Sequence, residues 1–331
     1  MRIALDAMGG DRGPEVTVDG AIAALDSTDH EILLVGHQDV LKPLLANHGV
    51  RSRRIQVVHA TQVVSMHERA KESLRKSDSS IAVTMRLAKT GEADAVVSAG
   101  HTGAAVAAAI MSWRSLPGIH RPAIAWTIPA VETPSVLLDV GATVNCKPIH
   151  LHQFALMGAA FVQHVRGVEH PSVGLLNIGE EETKGNEVTL QAAQLLEKSH
   201  LNFRGNAEGR DLVRGTFNVI VCDGFVGNII LKFAEALAEW LITSLKGEVN
   251  KNILATLGAL AMKPVFRSFK KRIDYAEYGG APLLGLNGVC IICHGSSNAK
   301  AISSAIRVAG ETARHELNKH ICAKLRESKQ P

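Results

Sequence analysis

The residues with the most distinctive chemistry lie in an acidic corner at positions 177–187, directly after an apolar run at 172–176. The corner carries three consecutive glutamates, then Lys184 and Gly185 just before a predicted helix start. Buried like charges would be costly, and a lysine at a helix start adds a cation where backbone N–H groups already favour anions. The corner therefore suits a binding site. The alternative interpretation is a solvated loop in which Lys184 only neutralises its neighbours.

Polar, glycine-bearing loops follow other short apolar runs, at positions 6–11, 98–103, 139–142, 222–228 and 293–297. Glycines in three of these loops, at 6–11, 98–103 and 295–297, let the backbone approach a ligand and point N–H groups at it, as an anion site requires. Phosphate is the obvious ligand. The sequence lacks the glycine motifs of standard dinucleotide and nucleoside-triphosphate sites, and it lacks the Gly-x-Ser-x-Gly elbow of many acyl-enzymes.

Short strands and helices must position these loops. Apolar, largely β-branched runs predict strands at nine places, near Ile3, Ile32, Ile55, Ala95, Ala123, Val136, Val173, Val219 and Val289. Such strands, alternating with helices, indicate a parallel or mostly parallel sheet covered on both faces, with ligands at the carboxyl ends of the strands. We therefore expect the loops to converge on one crevice.

A long helical pattern runs from Val226 to Lys246, and an apolar segment at 253–262 follows it. This segment is too short to span a bilayer, and cations follow it closely, so it is typical of an interfacial anchor. A hairpin packed against a partner protomer is the alternative. The predicted anchor side chains are Leu254, Leu257, Leu260, Met262 and Phe266.

Composition limits the remaining classes. The 331-residue chain is 46% hydrophobic, so it can bury a large core as one domain or two intimately joined halves. Aromatic residues make up only 4%, and the net charge of +4 is modest, which disfavours a nucleic-acid partner. The N-terminus reads as a strand, and five scattered cysteines fit a reducing compartment, so a cytoplasmic location is expected. Cys290 and Cys293 are interpreted as core residues, and no metal site is predicted.

Eight motifs in order along nearly the whole chain resemble those of the bacterial phosphate acyltransferase family, PlsX. They occupy positions 6–11, 98–104, 138–148, 177–186, 205–211, 223–228, 277–280 and 294–297. The resemblance implies a three-layer αβα fold with a mostly parallel sheet, similar to isocitrate and isopropylmalate dehydrogenases, plus a protruding helical hairpin at 226–275. By the same resemblance, residues 1–331 form a single αβα domain of two intimately joined halves, and the protein is expected to be a dimer.

The same resemblance implies transfer of a long-chain acyl group from the thioester of acyl carrier protein to inorganic phosphate. The acyl phosphate would pass to a glycerol-3-phosphate acyltransferase for phospholipid synthesis, with the protein peripherally attached to the inner face of the membrane. No cofactor is implied. Phosphate is largely dianionic near neutral pH and could attack the thioester directly, and positioning could supply roughly 7 to 11 kcal/mol of the barrier.

Two residues are expected to stabilise the oxyanion, Lys184 and the amide of Asn228. The expected substrate and phosphate contacts come from the loops, namely Asp6, Gly9, Gly10, Ser98, Gly100, Thr102, Gly103, Asp139, Asp223, Gly224, His294, Gly295, Ser296 and Ser297. His101 stands where many members of the family carry a small polar residue, and it receives no catalytic role.

Three alternative functions remain open from the sequence. A dehydrogenase of similar fold would need a nicotinamide site and a metal held by aspartates. A non-enzymatic membrane scaffold would need neither Lys184 nor Asn228. Phosphotransacetylase-like transfer from an acyl-coenzyme A is the third. For the acidic carrier protein, steering by basic residues near the crevice is expected, from Arg51, Arg53 and Arg54 and from Lys263, Arg267, Lys270, Lys271 and Arg272.

Overall fold

The structure, a computed structural model, describes residues 1–50, 52–273 and 279–328, except for the side chains of residues 250, 253, 254 and 270–273. The described residues form twelve strands: β1 (Arg2–Asp6), β2 (Glu31–Gly36), β3 (Ile55–His59), β4 (Ala95–Ser98), β5 (Ala123–Ile124), β6 (Trp126–Ile128), β7 (Ser135–Leu138), β8 (Ser172–Leu176), β9 (Asn202–Ala207), β10 (Val219–Val221), β11 (Ala281–Leu284) and β12 (Cys290–Ile292). All nine predicted strands are confirmed.

The same residues form thirteen helices. They are α1 (Gly13–Ser27), α2 (Gln38–Asn47), α3 (Ala70–Ser73), α4 (Ser80–Lys89), α5 (Thr102–Trp113), α6 (Pro148–Arg166), α7 (Glu187–Glu197), α8 (Gly209–Arg214), α9 (Gly224–Asn250), α10 (Ile253–Ala261), α11 (Lys263–Ile273), α12 (Ala299–Arg314) and α13 (Leu317–Glu327). Helices follow most of the parallel strands, as the alternating pattern predicts.

The strands form two sheets where the sequence predicted one. The seven-stranded sheet has the order β3-β2-β1-β4-β12-β11-β5, and the five-stranded sheet has the order β6-β7-β10-β8-β9. Only β11 and β6 pair antiparallel with their neighbours. The chain passes from one sheet to the other at Ala125, whose N–H donates to the carbonyl of Pro282 at 2.9 Å. The mostly parallel αβα class is confirmed.

Alternation along the strands gives the layers. In β1, Ile3 and Leu5 pack with α1 and α12 on one face, whereas Ala4 faces α4 and α5 on the other. The five-stranded sheet packs one face on α6, which in turn packs against α13, and its other face shares a core with the first sheet through Leu137 and Ile220. Helices therefore cover both faces, and the two sheets share a continuous apolar middle.

Helix α9 leaves this core after its first turns. Of the helix residues whose burial the structure describes, Gly224 and Gly227 alone are buried, and Ile230 and Leu231 pack partly against the core. From Asn228 to Phe269, no described side chain is buried. The predicted hairpin at 226–275 is thus three successive helices, α9 to α11, of which the first begins two residues earlier than expected. Positions 274 and 275 lie outside the described residues, as do 277 and 278 of the seventh motif.

Candidate functional site

Three loops of the seven-stranded sheet meet at its carboxyl edge, after β1, β4 and β12. The Asp11 N–H donates to the Gly295 carbonyl at 2.8 Å. A Cβ on Gly9 would lie only 2.7 Å from the Cα of Gly100, so glycine at this position lets the two backbones touch. A Cβ on Gly10 would meet the Gly295 carbonyl. The predicted convergence of these loops is confirmed.

Asp6 and Ser98 form the buried floor of this junction. The Ser98 hydroxyl donates to Asp6 Oδ2 at 2.8 Å and accepts from the Gly100 N–H at 3.2 Å. Burial raises the pKa of Asp6, and its Oδ1 has no partner among the described residues. The cavity beside them holds only about 10 Å³, close to the room that one water needs. Direct contact of these side chains with phosphate would therefore require the loops to open.

A roomier cavity, of about 120 Å³, lies between the two sheets. Thr102 and His294 line it from the seven-stranded sheet, and Val140 and Asn228 line it from the five-stranded sheet. We call it the central cavity. By the same measure it has space for several waters, and so for a tetrahedral anion. Thr102 is the first residue of α5, so its backbone lies at the positive end of that helix.

Two residues that line the central cavity were not predicted from the sequence. Lys232 and Glu235 line it from α9, one and two turns beyond Asn228. The spacing was a signal in principle, because residues three or four apart share a helix face. Their contact with His294 depends on the fold, since His294 lies 62 residues further along the chain.

Hydrogen bonds fix the neighbouring loop residues. The His101 ring caps α5 by accepting from the Ala104 N–H at 3.1 Å, which gives this side chain a structural role. A Cβ on Gly103 would press against that ring. His294 Nδ1 lies 2.7 Å from the Ser296 hydroxyl, and the buried Ser297 donates its N–H to the His294 carbonyl. The 294–297 loop is therefore held rigidly beside the central cavity.

Asp139 braces the five-stranded sheet. Its fully buried carboxylate accepts four backbone N–H groups, from Ile124 at 2.8 Å and from residues 141, 142 and 143 at 2.6 to 3.1 Å. Burial raises the pKa of this carboxyl, and the four N–H donors oppose that shift. The geometry gives Asp139 an architectural task and leaves it no exposed surface for phosphate.

Asp223 starts α9. Its Oδ1 accepts the N–H groups of Phe225 and Val226, both at 2.9 Å. The Gly224 N–H donates to the Thr143 carbonyl at 2.9 Å, which ties the helix start to the loop after β7. Gly227 has no room for a side chain, because a Cβ would collide with the Asp139 carbonyl. This close packing sets the Asn228 side chain beside Gly141.

The acidic corner lies beside a different cavity. Gly185 and Asn186 line a space of about 890 Å³, together with Phe225, Val226 and Ile230 of α9. Val226 and Asn228 are two residues apart, about 200° around the helix, so the two cavities flank α9. Lys184 is exposed and forms no ion pair with a described side chain. The single crevice predicted from the sequence is therefore wrong, and among the described residues no hydrogen bond or ion pair joins Lys184 to Asn228.

Other predictions can be placed in the same way. Cys290 and Cys293 are confirmed as core residues, 1% and 3% exposed, on opposite sides of the seven-stranded sheet. Arg53 and Arg54 precede β3 and so lie at the amino edge of the parallel strands, away from the site, and Arg54 donates to two backbone carbonyls. Their predicted place at the crevice mouth is wrong, and Arg51 lies outside the described residues.

In the predicted anchor, Leu257, Leu260 and Met262 are 60%, 65% and 48% exposed, and Phe266 is half-buried. The Leu254 side chain lies outside the described ones, as do those of Lys270, Lys271 and Arg272. Among the described residues, no helix is long and apolar enough to cross a membrane. The described part of the chain also contains no group of three or more His, Cys, Asp or Glu side chains placed to hold a metal ion.

Sequence comparison decides the family. The profile of a family described as fatty acid synthesis protein matches residues 1–320. A phosphate acyltransferase of Geobacter sulfurreducens is 48% identical over 326 residues, which cover 98% of this chain and 94% of that one. The chain belongs to the phosphate acyltransferase family.

Solved structures place this phosphate acyltransferase family member in a wider fold group. A phosphotransacetylase from Streptococcus pyogenes has a TM-score of 0.65 at 18% identity, covering 95% of this chain and 94% of the other. A putative 4-hydroxythreonine-4-phosphate dehydrogenase from Salmonella typhimurium has a TM-score of 0.54 at 14% identity, covering 94% and 98%. At these identities the likeness concerns the fold alone, and it agrees with the dehydrogenase-like architecture expected from the sequence.

Proposed function

We propose that the protein transfers a long-chain fatty acyl group from the thioester of acyl carrier protein to inorganic phosphate, giving acyl phosphate for glycerophospholipid synthesis. The observation that carries the proposal is the central cavity, where loops of both sheets meet around Thr102, Asn228 and His294. Family membership supplies the class of reaction, and this cavity supplies a place for the phosphate. The product would be used by a membrane glycerol-3-phosphate acyltransferase.

The reaction needs no acyl-enzyme. A phosphate oxygen attacks the thioester carbonyl, the C–S bond breaks, and the proton carried by monohydrogen phosphate ends on the released thiol. No described cysteine that lines either cavity is prepared as a rival nucleophile. Burial raises the pKa of Cys293, which lines the central cavity, to about 12. At the larger cavity, burial with the charges of Asp139 and Asp223 raises the pKa of Cys146 to about 12, and burial raises that of Cys222 well above its ordinary value. Thiols of this kind stay protonated and unreactive near neutral pH.

Asn228 is the proposed amide donor to the oxyanion of the tetrahedral intermediate. Its backbone is fixed because Gly227 packs against Asp139 and the helix start is capped by Asp223. A donor held before the reaction begins costs no reorganisation when the charge develops. Lys184 remains the second proposed donor; because its neighbour Gly185 lines the larger cavity, the lysine side chain would have to reach past α9 to the oxyanion.

A homodimer is proposed through the exposed face of α9. We define the α9 stripe as its large apolar side chains that are more than a third exposed, namely Phe225, Val226, Ile229, Phe233, Leu237, Trp240, Leu241 and Leu245. The stripe runs for about 30 Å along the helix and continues into the wall of the larger cavity. Apolar surface of this extent suits a second copy of the chain. Sedimentation should give a dimer, and Trp240→Glu with Leu241→Glu should weaken it.

Carrier-protein docking is proposed at the basic helix α11, where Lys263 and Arg267 are exposed. An acidic carrier protein would be attracted to these cations, and salt would screen the attraction. Affinity measured by surface plasmon resonance should fall as the salt concentration rises. An affinity that does not respond to salt would refute electrostatic docking.

Peripheral attachment to the cytoplasmic face of the membrane is proposed through the tip of α10 and the start of α11. Leu257, Leu260 and Met262 present apolar surface beside the cations of α11. Burying a few such side chains could contribute several kcal/mol at about 25 cal/mol per Å², with about 1 kcal/mol more for each cation near anionic headgroups. That suffices for reversible binding.

One assay tests the proposed reaction. The purified protein is incubated with palmitoyl carrier protein and phosphate, acyl phosphate is trapped with hydroxylamine as the hydroxamate, and palmitoyl-coenzyme A serves as the alternative donor. We expect hydroxamate that depends on phosphate, with the carrier protein as the better donor. A marked preference for coenzyme A would favour the phosphotransacetylase-like alternative, and thiol release without phosphate would indicate a hydrolase.

A further inference from the structure

At the central cavity, His294 lies in a cluster with two charged side chains that have no part in the mechanism above. We call it the Lys232 cluster: Lys232, Glu235 and His294. Lys232 Nζ donates to Glu235 Oε2 at 2.9 Å and lies 2.6 Å from His294 Nε2. Glu235 Oε2 is also 3.4 Å from His294 Nε2. Both partners of the lysine are largely covered, their side chains being 25% and 35% exposed.

Two elements far apart in sequence build this cluster. Lys232 lies one turn after Asn228 on α9, so both side chains face the central cavity. His294 is on the loop after β12, in the other sheet. The cluster therefore joins the two halves of the molecule at the cavity where both contribute residues. Lys232 is the only lysine or arginine among the described residues that line this cavity.

The ammonium group of Lys232 has N–H groups to spare. Of its three N–H bonds, one goes to Glu235. His294 Nδ1 accepts from the Ser296 N–H at 3.1 Å and lies 2.7 Å from the Ser296 hydroxyl, so the hydrogen of the neutral ring lies on Nε2, which faces Glu235 Oε2 at 3.4 Å. His294 therefore braces Glu235 and does not accept from the lysine. The other N–H groups of Lys232 have no acceptor among the described residues, and the Lys232 side chain is 52% exposed.

We infer that Lys232 binds the phosphate substrate in the central cavity, and that Glu235, braced by His294, is a positioning residue that holds its ammonium there. This inference rests on the proposed function. A phosphate dianion needs a cation, and the carboxylates of Asp139 and Asp223 already serve backbone N–H groups. Lys184 is not among the residues that line this cavity, and its neighbour Gly185 lines the larger cavity on the other side of α9. Lys232 thus supplies, beside Asn228, the positive charge that a phosphate in this cavity requires.

The direct test is binding of inorganic phosphate to the whole protein without an acyl donor, by titration calorimetry, together with the KM for phosphate. We expect Lys232→Met to raise both the dissociation constant and the KM by about tenfold or more, as loss of a charge-assisted hydrogen bond implies. Lys232→Arg should keep most of the affinity. A matched control is Lys319→Met, which removes the lysine of the exposed Lys319–Glu316 pair on α13, with Nζ and Oε1 at 2.6 Å.

A second variant separates binding from mere neutralisation of Glu235. If Lys232 contacts phosphate, Lys232→Met combined with Glu235→Gln should remain as weak as the single variant. Parental affinity in that double variant would overturn the inference, as would parental affinity and KM in a folded Lys232→Met protein. Glu235→Gln alone should raise the KM for phosphate less than Lys232→Met does. Unchanged KM in Glu235→Gln would remove its positioning role.

The outcomes also distinguish this inference from the proposed function. If the parent protein forms acyl phosphate but Lys232→Met keeps the parental KM, the inference fails and the function stands. If the parent binds phosphate in a Lys232-dependent manner but makes no acyl phosphate, the function fails and the site stands. A parent protein that binds no phosphate would overturn both.

Discussion

The substitution Asp139→Ala changes only the interior of the protein, and it should severely destabilise the fold. The side chain is fully buried and accepts four backbone N–H groups, from Ile124 where the chain changes sheets and from three consecutive residues of the loop after β7. Alanine would leave all four donors without this acceptor. Each buried unsatisfied donor costs about 1–3 kcal/mol, but a freed loop relaxes, so we expect a total loss of about 3–5 kcal/mol.

Chemical denaturation followed by circular dichroism measures this loss as a fall in the free energy of unfolding. Asp139→Asn should lose less, because an amide oxygen can still accept the three N–H groups that meet Oδ1. Asp223→Ala is the comparison, since it removes an exposed helix cap that typically contributes about 0.5–2 kcal/mol. A loss below about 1 kcal/mol in Asp139→Ala would refute the bracing role.

Three further predictions concern catalysis, the membrane and pH. Lys184→Ala or Asn228→Ala should each cut kcat by about two orders of magnitude in a folded protein, as removal of an oxyanion donor does, and near-parental turnover in both would remove them from the mechanism. Leu257→Glu with Leu260→Glu should abolish sedimentation with anionic liposomes while activity on soluble acyl carrier protein persists; a dissociated dimer with unchanged liposome binding would show an oligomer interface instead. Burial raises the pKa of Asp6 above its ordinary 3.8, so the stability that Asp6 contributes is present below pH 3.8 and is lost as pH rises through the folded pKa. Asp6→Asn should therefore flatten this pH dependence of the free energy of unfolding. At neutral pH the variant should be more stable than the parent. A parallel pH profile in the variant would contradict that account.

Local patterns in the sequence predicted most of the elements. Short apolar runs located nine strands, and the three-to-four spacing of apolar residues located α9 to within a few residues of its ends. β9 (Asn202–Ala207) was not predicted, because only Phe203 and Ala207 in it are apolar. This strand lies at an edge of the five-stranded sheet and pairs with β8 through backbone groups. The separation into two sheets was not predicted, because the chain passes from one sheet to the other at a single residue, Ala125, and such a change leaves no sign in the composition.

The sequence predicted which loops form the site, but it did not predict the cavities between those loops. Glycine-rich corners indicate which backbones can approach an anion, but they do not give the space between them. Asp6 and Ser98 line a cavity of only about 10 Å³, whereas Thr102 and His294 line a cavity of about 120 Å³. Lys232 escaped because its partner His294 is distant in sequence, so only the fold brings the ammonium and the ring together.

Direct attack by phosphate is the central claim, and a single-turnover measurement of thiol release tests it. Enzyme and palmitoyl carrier protein are mixed in equimolar amounts, first without phosphate and then with phosphate added, and free thiol is followed with a chromogenic disulfide. The account predicts no rapid thiol release before phosphate is added and one equivalent afterwards, accompanied by acyl phosphate. A burst of one equivalent of thiol in the absence of phosphate, with the acyl group covalently attached to the protein, would contradict it.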